Sequence, residues 1–440
     1  MGPRMKRWTV LVLLLVATWG YYLVHTGVAR DVERHVKRRL IPRLLRKAKH
    51  LSTCVPRTES DGTRRPGKVV FWTPLFDQSH DTALRVFAAH GGGPLDPYDA
   101  ANLPAGCSLF ATDENGVEWE DATVVVFHAF SIDSWNLPPH RFCDQAWLLW
   151  NAEPPYKYVH RPSVEVDLTQ EEDAALFQLH ASYLLDADVV TAYITEGSIL
   201  SQIRTALAEG EVDMGVVAEK LRWAREDEKG AAAFFLARNC DAVSGRNAVL
   251  RELGKHIRIH SWGKCMPSHP DHLPEDLLAL DRSTPEFKWA LFHKYPFYLA
   301  FENSRSPAYV TEKVLEGLLA PTSIPVVLGA PDKDAFFPSP DVYIDVDAYA
   351  GRMDDLAREM LALLDDEDAF ARKLLRKGGA CGGTFDHLWG CTQGGGGGSK
   401  AVLPAVDQLC GLLAGMENED DWVEFLKTRV DSPVVIPVDV

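Results

Sequence analysis

Short apolar runs recur along the chain and alternate with segments of helical periodicity. A first series of runs covers 69–75, 123–130, 145–151 and 188–194. A second series covers 232–237, 256–261, 297–301, 324–328 and 342–346. Runs of this length, separated by Gly/Pro-rich or polar loops, are typical of strands that are buried on both faces.

The segments between the runs favour helices. We expect helices over 170–185, 246–254 and 311–319, and another over 354–364 that continues towards 375. Strands that alternate with helices predict parallel sheets covered on both faces. Because the polar, charged segment 208–229 divides the two series, the pattern predicts an α/β protein with two doubly wound, Rossmann-like domains that face a cleft.

The predicted domains are 68–225 and 226–377. The GGGGGS tract at 394–399 is typical of a flexible linker, so residues 378–440 are predicted to form a C-terminal tail rich in Cys and Gly.

An uncharged apolar stretch, WTVLVLLLVATWGYYLV, precedes the first domain. It is long enough for a short membrane-spanning helix, with residues 1–7 as a cytosolic tail, 8–28 as the signal-anchor and 29–67 as a basic stem. Lys and Arg are more numerous after the stretch than before it, which favours the opposite topology. Small residues at 27–29 also leave a cleaved signal peptide open. In both cases the body enters the secretory pathway.

The charge distribution bears on the class of partner. Residues 1–68 hold 16 Lys+Arg and 4 Asp+Glu, so the rest of the chain carries a formal net charge of -28. A body this acidic is a poor binder of phosphate backbones, which disfavours nucleic acid as the partner.

Polar residues follow the strand 297–301 and lead into a helix. The strand is followed by Glu302-Asn303-Ser304, and the next helix opens with Thr311-Glu312-Lys313. Ligands of open α/β sheets lie outside the carboxyl ends of the strands, and a helix N-terminus offers unpaired N–H groups to a phosphate. This pattern predicts a nucleotide diphosphate site, although an ordinary helix capped by Thr311 explains the same residues.

The same stretch, 298–320, resembles the donor-binding signature of the alpha-1,3-fucosyltransferases, a family of Golgi enzymes with the GT-B fold. Upstream, LARNCDAVSGRNAVL (236–250) and IHSWGKC (259–265) are similar to further motifs of that family. In the first domain, WNAEPP (150–155) resembles its Glu-Ser-Pro motif. The resemblance implies a GT-B fold with the acceptor bound by the first domain and GDP-fucose by the second.

Five residues of the second domain match the donor site of that family. The resemblance implies that Lys313 and Arg246 hold the pyrophosphate, that Glu312 binds ribose hydroxyls, and that Asn303 and Tyr309 complete the GDP-fucose site. Two cations at the leaving group suit the reaction, because the departing GDP has to be stabilised electrostatically.

Glu153 is the implied general base. An acceptor hydroxyl that attacks C1 of GDP-fucose loses its proton as the bond forms, and one carboxylate is enough for a single inverting displacement. The expected partners are a sugar nucleotide, a glycoprotein glycan and, through one helix, the membrane. No cofactor is obligatory, stimulation by a divalent cation is left open, and no metal ligands are assigned. The implied location is the Golgi membrane, single-pass type II, with the body in the lumen.

The acceptor is less well specified. Lewis-type members carry a Ser-Tyr-Arg-Arg-Asp-Ser-Asp run, whereas this chain has AYITEGS at 192–198 and lacks both arginines. The surroundings of Cys240 and Cys265, and Ala330-Pro331, are closer to members that act on the N-glycan core. We therefore expect alpha-1,3 transfer to a core GlcNAc. N-acetyllactosamine, another sugar nucleotide and a non-catalytic lumenal glycan-binding protein remain alternatives.

The resemblance also implies a Cys240–Cys265 disulfide, with two free buried cysteines as the alternative. Three cysteines form a C-terminal cluster, namely Cys381, Cys391 and Cys410, and their partners are expected among Cys54, Cys107 and Cys143. Asp345 and Asp347 have the spacing of an Asp-X-Asp metal motif, but acidic residues are common where a strand ends, so we assign no metal there.

Overall fold

The computed structural model describes the chain in segments. These are 54–56, 67–75, 78–89, 103, 106–112, 119–132, 137–154, 174–193, 213–320, 322–337, 340–349, 351–375, 405–416 and 419–431. The predicted membrane segment, 8–28, and most of the predicted stem lie outside them. Within these segments no helix is long and apolar enough to cross a bilayer.

The first domain is built on a six-stranded parallel sheet with the order β2-β1-β3-β4-β5-β6. Its strands are β1 Gly67–Phe71, β2 Cys107–Ala111, β3 Val124–His128, β4 Ala146–Asn151, β5 Leu179–Ser182 and β6 Val189–Val190. The central strands β3 and β4 are buried along their whole length.

The second domain is built on a five-stranded parallel sheet with the order β11-β10-β9-β7-β8. Its strands are β7 Ala233–Phe235, β8 Ile259–Ser261, β9 Phe297–Phe301, β10 Ile324–Leu328 and β11 Ile344–Asp345. The predicted bounds of β9 and β10 are confirmed. Both central strands are buried throughout, because helices and loops cover the two faces of the sheet.

Ten α-helices are described. They are α1 His80–Ala89, α2 Met214–Glu226, α3 Arg246–Leu253, α4 Glu275–Leu278, α5 Pro285–Lys294, α6 Glu312–Leu319, α7 Met353–Asp365, α8 Glu367–Leu375, α9 Ala405–Ala414 and α10 Glu419–Asp431. The alternation of strands and helices confirms the α/β fold with two parallel sheets.

The sequence pattern misses two strands of the first domain, β2 and β5. The predicted helix 170–185 contains strand β5. The strand has only four residues and includes His180 and Ser182, so no apolar run marks it, and a segment this short does not distinguish a strand from a helix. Strand β2 was not predicted, because it lies at the edge of the sheet and buries only Leu109.

The charged segment 208–229, expected to separate the domains, contains helix α2. Asp213 caps the helix by accepting hydrogen bonds from the amides of Gly215 and Val216. The apolar stripe is narrow, with Val217 and Leu221 buried together with one lysine. A helix whose buried face includes a charged residue gives only a weak periodic signal.

Helices α9 and α10 of the predicted C-terminal tail pack against the first domain. The rest of the tail, with the 394–399 tract, lies outside the described residues. The Gln408 side chain accepts from the Val190 amide at 2.8 Å and donates to the Val190 carbonyl at 2.9 Å. The Gln408 side chain therefore supplies two hydrogen bonds that a neighbouring strand would otherwise make to edge strand β6. On α10, Trp422 Nε1 donates to the Asp144 carbonyl at 2.9 Å.

Three disulfides join described cysteines. The Cys240–Cys265 bond confirms the expected pair. The Cys107–Cys410 bond fixes α9 to β2 and agrees with the expected partners of the C-terminal cluster. Cys54 and Cys143 pair with each other, so neither is a partner of the C-terminal cluster as expected. Cys381 and Cys391 lie outside the described residues. No described cysteine is free.

Lys220 fastens α2 to the body of the second domain. Lys220 is only 4% exposed. Its ammonium donates to the carbonyl of Phe292 at 2.8 Å, to that of Tyr295 at 3.3 Å and to that of Thr322 at 2.6 Å. It also donates to the Thr322 hydroxyl at 2.8 Å. Because an α-helix leaves its last carbonyls without intrahelical donors, the ammonium serves as a cap for the end of α5.

We predict that Lys220→Met lowers the free energy of unfolding by about 3 kcal/mol, since it removes charge-assisted hydrogen bonds and leaves buried carbonyls without that donor. Denaturant unfolding of the purified protein measures the change. Arg222→Met is the matched control, because Arg222 lies on the same helix and is exposed. Equal stability of the two variants would contradict the role of Lys220.

Candidate active site

The carboxyl ends of β7, β9 and β10 meet at one edge of the second sheet. The Glu302 amide donates to the carbonyl of Leu328 at 2.8 Å, and the Ser244 hydroxyl donates to the carbonyl of Glu302 at 2.7 Å. The Ser244 amide donates to the carbonyl of Asn303 at 3.1 Å. These bonds bring the polar residues after β9 next to the start of α3.

Glu302 is the centre of this edge. Its side chain is 0% exposed and its Oε1 accepts from both the amide and the hydroxyl of Thr311 at 2.8 Å. Lys313 Nζ lies 3.3 Å from Glu302 Oε2. A carboxylate withdrawn from water is stable only when it is paired and hydrogen-bonded, and these contacts meet that condition. The sequence pattern did not single out Glu302 for this role.

The N-terminus of α6 is already capped. Thr311 is the N-cap residue, and its hydroxyl accepts from the Lys313 amide at 3.4 Å. Glu302 accepts from the Thr311 amide, and the Thr311 hydroxyl accepts from the Lys313 amide, so both amides have partners within the protein. A phosphate site at this helix N-terminus stays a prediction, and Lys313 supplies a cation beside it.

Lys313 and Glu312 form one electrostatic unit with Glu302. The Lys313 ammonium contacts Glu312 Oε1 at 3.0 Å. Burial works to lower the pKa of Lys313, but Glu302 and Glu312 outweigh it, so this pKa is raised. Burial also raises the pKa of Glu302. Lys313 is charged at neutral pH, and its side chain is 15% exposed.

Arg246 opens helix α3 at the same edge but is buried. It is 1% exposed, and its guanidinium donates to the carbonyl of Phe301 at 3.0 Å and to the carbonyl of Asn239. Its Cζ lies 5.6 Å from the centroid of the Phe235 ring. The structure thus places Arg246 beside β7 and β9, where it organises backbone; its contact with a pyrophosphate stays a prediction.

Glu153 lies at the carboxyl end of the first sheet. It follows β4, where the Asn151 side chain donates to the Glu153 carbonyl and accepts from the Glu153 amide at 3.1 Å. Pro154 comes next in the chain and has no N–H with which to extend the strand. The residue is therefore fixed in a turn, as its sequence surroundings predicted.

Tyr309 connects the two domains. The Tyr309 hydroxyl donates to Glu153 Oε2 at 2.9 Å, and Tyr309 is only 1% exposed. The preceding residue, Ala308, has a positive φ of 56°, which turns the loop before α6. Glu153 and the donor-side residues of the second domain thus meet at one seam, although Tyr309 here contacts the carboxylate of the first domain.

Tyr193 belongs to the same cluster, and the sequence pattern did not assign it a role. Its ring packs edge-to-face against the ring of Tyr309, with the two centroids 6.0 Å apart. Burial raises the pKa of Tyr193, and the carboxylates of Glu153 and Glu312 raise it further. Tyr193 lies in the segment 192–198 that was compared with the Lewis-type run. The comparison did not indicate that Tyr193 contacts Tyr309.

The Asp-X-Asp pair contacts cations of the protein. Lys333 Nζ lies 3.0 Å from Asp345 Oδ1 and 2.9 Å from Asp347 Oδ2, and Arg305 pairs with Asp347. In the described part of the chain, no group of three His, Cys, Asp or Glu residues is arranged to hold a metal ion.

Two family models match the chain. Residues 226–374 match the model described as glycosyltransferase family 10 (fucosyltransferase), C-terminal, and residues 64–194 match the model described as fucosyltransferase, N-terminal. Together these matches cover more than half of the chain, one on each parallel sheet. The chain belongs to glycosyltransferase family 10. All six predicted site residues fall inside the two family 10 matches.

Curated relatives within this group differ in acceptor. The chain is 28% identical over 220 residues to the zebrafish GDP-fucose protein O-fucosyltransferase 3, covering 48% of this chain and 41% of that protein. It is 27% identical to the Drosophila melanogaster alpha-(1,3)-fucosyltransferase C, covering 69% of this chain and 67% of that protein. Human 3-galactosyl-N-acetylglucosaminide 4-alpha-L-fucosyltransferase FUT3 is 29% identical over 56% of this chain and 59% of its own length.

The chain thus spans less than half the length of the zebrafish relative. Among solved structures, an alpha1,3-fucosyltransferase with GDP is similar at a TM-score of 0.43 and 13% identity, covering 90% of this chain and 100% of that chain.

We predict that Glu302→Gln lowers the free energy of unfolding by about 3 kcal/mol, because it leaves buried Lys313 without one of its two carboxylates. Chemical denaturation at neutral pH provides the measurement. Glu252→Gln removes one partner of the exposed Lys255–Glu252 pair and should cost less than about 1 kcal/mol. Similar losses in the two variants would show that Glu302 behaves as a surface carboxylate.

Proposed function

We propose that the chain is an inverting glycosyltransferase of the GT-B type that moves L-fucose from GDP-fucose, in alpha-1,3 linkage, to a GlcNAc residue in the core of an N-glycan. The observation that carries this proposal is the hydrogen bond between Tyr309 and Glu153. Tyr309 lies three residues before Glu312 in the chain, so the bond links the carboxylate of the first domain to the segment that carries the Glu312-Lys313 pair of the second domain.

The donor is assigned to the second domain. Lys313 is a cation at the carboxyl edge of that sheet, and a diphosphate leaving group needs such a cation as its negative charge develops. Glu312, with a side chain 42% exposed, is suited to accept hydrogen bonds from sugar hydroxyls. Asn303 and Arg246 lie at the same edge and are included in the proposed donor site with Tyr309.

The reaction is assigned to Glu153 as the general base. The acceptor hydroxyl gives its proton to the Glu153 carboxylate while its oxygen forms the bond to C1 of fucose. The bond from C1 to the GDP oxygen breaks in the same displacement, and its electron pair leaves with GDP. One displacement inverts the anomeric centre, so a beta-linked donor gives an alpha-linked product.

Sequence features of the chain support the N-glycan core as the acceptor. The chain lacks the arginine pair of the Lewis-type run, since residues 194 and 195 are Ile and Thr. The Cys240–Cys265 pair and Ala330-Pro331 resemble members that act on the N-glycan core. The named relatives include protein O-fucosyltransferases and Lewis-type enzymes, so lactosamine and a peptide hydroxyl are the competing acceptors in the test.

We further propose a Golgi location, with residues 8–28 as a single-pass type II anchor and the body in the lumen. Disulfides in both domains support an oxidising compartment.

The test is an assay of full-length protein with GDP-fucose and three acceptors: a paucimannose glycopeptide, N-acetyllactosamine and an unglycosylated peptide. Mass spectrometry locates the product, and fucose on the core GlcNAc is the expected result. Transfer only to lactosamine or only to the peptide would replace the acceptor and keep the donor. Turnover with a different sugar nucleotide, or donor binding without transfer to any acceptor, would overturn the proposal.

We predict that Glu153→Gln lowers kcat by at least 100-fold while the thermal stabilisation by GDP-fucose is retained, because the amide cannot take the acceptor's proton. The control is Asp186→Asn, a loss of an exposed carboxylate in the same domain, which should leave kcat unchanged. Unchanged turnover in Glu153→Gln would remove this residue from the mechanism.

A further inference from the structure

A cavity of about 360 Å³ lies on the flank of the second domain, between helix α3 and strand β8. Its floor is apolar and is formed by Leu250, Ile257, Ile259 and Met266. Pockets that hold ligands have volumes of about 300 to 1,000 Å³ and mostly apolar walls. This cavity is at the small end of that range, which suits one or two amino-acid side chains.

The wall opposite α3 is fastened to β8. The Ser261 amide donates to the Ser268 hydroxyl at 2.9 Å, and the Ser268 amide donates to the Ser261 carbonyl at 3.0 Å. The Cys240–Cys265 disulfide holds the residue that precedes Met266. A pocket whose walls are fixed before binding loses little conformational entropy when a partner enters.

The rim of the cavity is basic, although the body of the protein is acidic. Arg251, Lys255 and Arg258 line the cavity, and all three residues are exposed. Residues 251–268 contain four Lys and Arg and a single carboxylate, that of Glu252, which pairs with Lys255. The rim is therefore a local excess of positive charge on a body with a large negative net charge, and it favours an anionic partner.

The two arginines of the rim are held by uncharged groups. Arg258 Nη1 donates to the carbonyls of Glu228 and Gly230, both at 2.7 Å. Arg251 Nη1 contacts the sulfur of Met266 at 3.7 Å. A guanidinium has five N–H donors and can form two parallel hydrogen bonds with a carboxylate. Because these contacts use only part of that set, both arginines are suited to bind the carboxylates of a partner.

The cavity opens beside an edge of the sheet. Strand β8 is the last strand of this sheet in the described part of the chain. Ser261 directs its amide and its carbonyl to the outer side, where Ser268 binds them. Since the direction of the backbone groups alternates along a strand, the N–H and C=O of Ile259 face the same outer side. Edge strands with such groups pair with extended peptides.

We propose that this cavity is a docking site for an extended, acidic peptide segment of another protein. An apolar side chain of the segment enters the cavity, and the backbone of the segment pairs with the outer side of β8. Its Asp or Glu side chains contact Arg251, Lys255 and Arg258. The cavity shares no residue with the proposed donor site, and Leu250 lies about 6 Å along the axis of α3 from Arg246.

The test measures binding of a short fluorescent peptide to the full-length protein by fluorescence anisotropy. The peptide has one central leucine flanked by glutamates. We expect saturable binding that weakens as the salt concentration rises, because salt screens exposed ion pairs. Peptides with glutamine in place of glutamate, with serine in place of leucine, or with methylated backbone nitrogens should each bind more weakly, since each loses one of the three kinds of contact.

The protein variant that tests the rim combines Arg251→Gln with Lys255→Gln. It should weaken peptide binding about fivefold, as for the loss of two exposed ion pairs. The matched control combines Arg222→Gln with Lys427→Gln, which removes the same charge from exposed positions outside the cavity. The control should bind the peptide as the wild-type protein does. The measurement needs no turnover, so its outcome is independent of the proposed function.

Three results would overturn the inference. The first is equal binding of the glutamate and glutamine peptides, and the second is equal weakening by the two double variants. The third is binding to phosphatidylserine vesicles that depends on Arg251 and Lys255 while the peptide does not bind, because the rim would then recognise a lipid surface.

Discussion

The second domain depends on the need to satisfy one buried carboxylate. Glu302 is removed from water, so its charge has to be balanced inside the protein, and the balance is supplied by Thr311 and Lys313. The consequence is local order at the edge of the sheet: the end of β9, the cap of α6 and the lysine are held in a single arrangement. The same pairing keeps Lys313 ionised at a place where burial alone would oppose its charge.

The residues that this pairing orders belong to a loop that contributes both to the proposed donor site and to the contact between the domains. The loop between β9 and α6 ends at the proposed donor residues and carries Tyr309, which reaches the carboxylate of the first domain. A rigid attachment of α6 therefore also fixes the position of Tyr309. In parallel α/β domains the carboxyl edges of the sheets are the usual sites of ligands, and here the seam between the two domains joins two such edges.

Sequence periodicity was sufficient for β9 and β10, whose bounds follow from their apolar runs, but not for β5, a buried strand of four residues that includes His180 and Ser182. It was insufficient where burial is partial or mixed with charge, as at edge strand β2 and at α2, whose buried face includes Lys220. For the site, the pattern placed the polar residues at the correct edge. It could not reveal the pairing of Glu302 or the contact of Tyr193, because the first joins residues across the loop between β9 and α6 and the second joins residues of different domains.

The Cys107–Cys410 disulfide has a consequence for proteolysis. It joins cysteines that are 303 residues apart, and the second domain lies between them in the chain. A single peptide-bond cleavage between α8 and α9 would yield two polypeptides that remain covalently connected. Their separation requires reduction as well as cleavage, so the C-terminal helices stay attached to the first sheet after a nick that would otherwise release them.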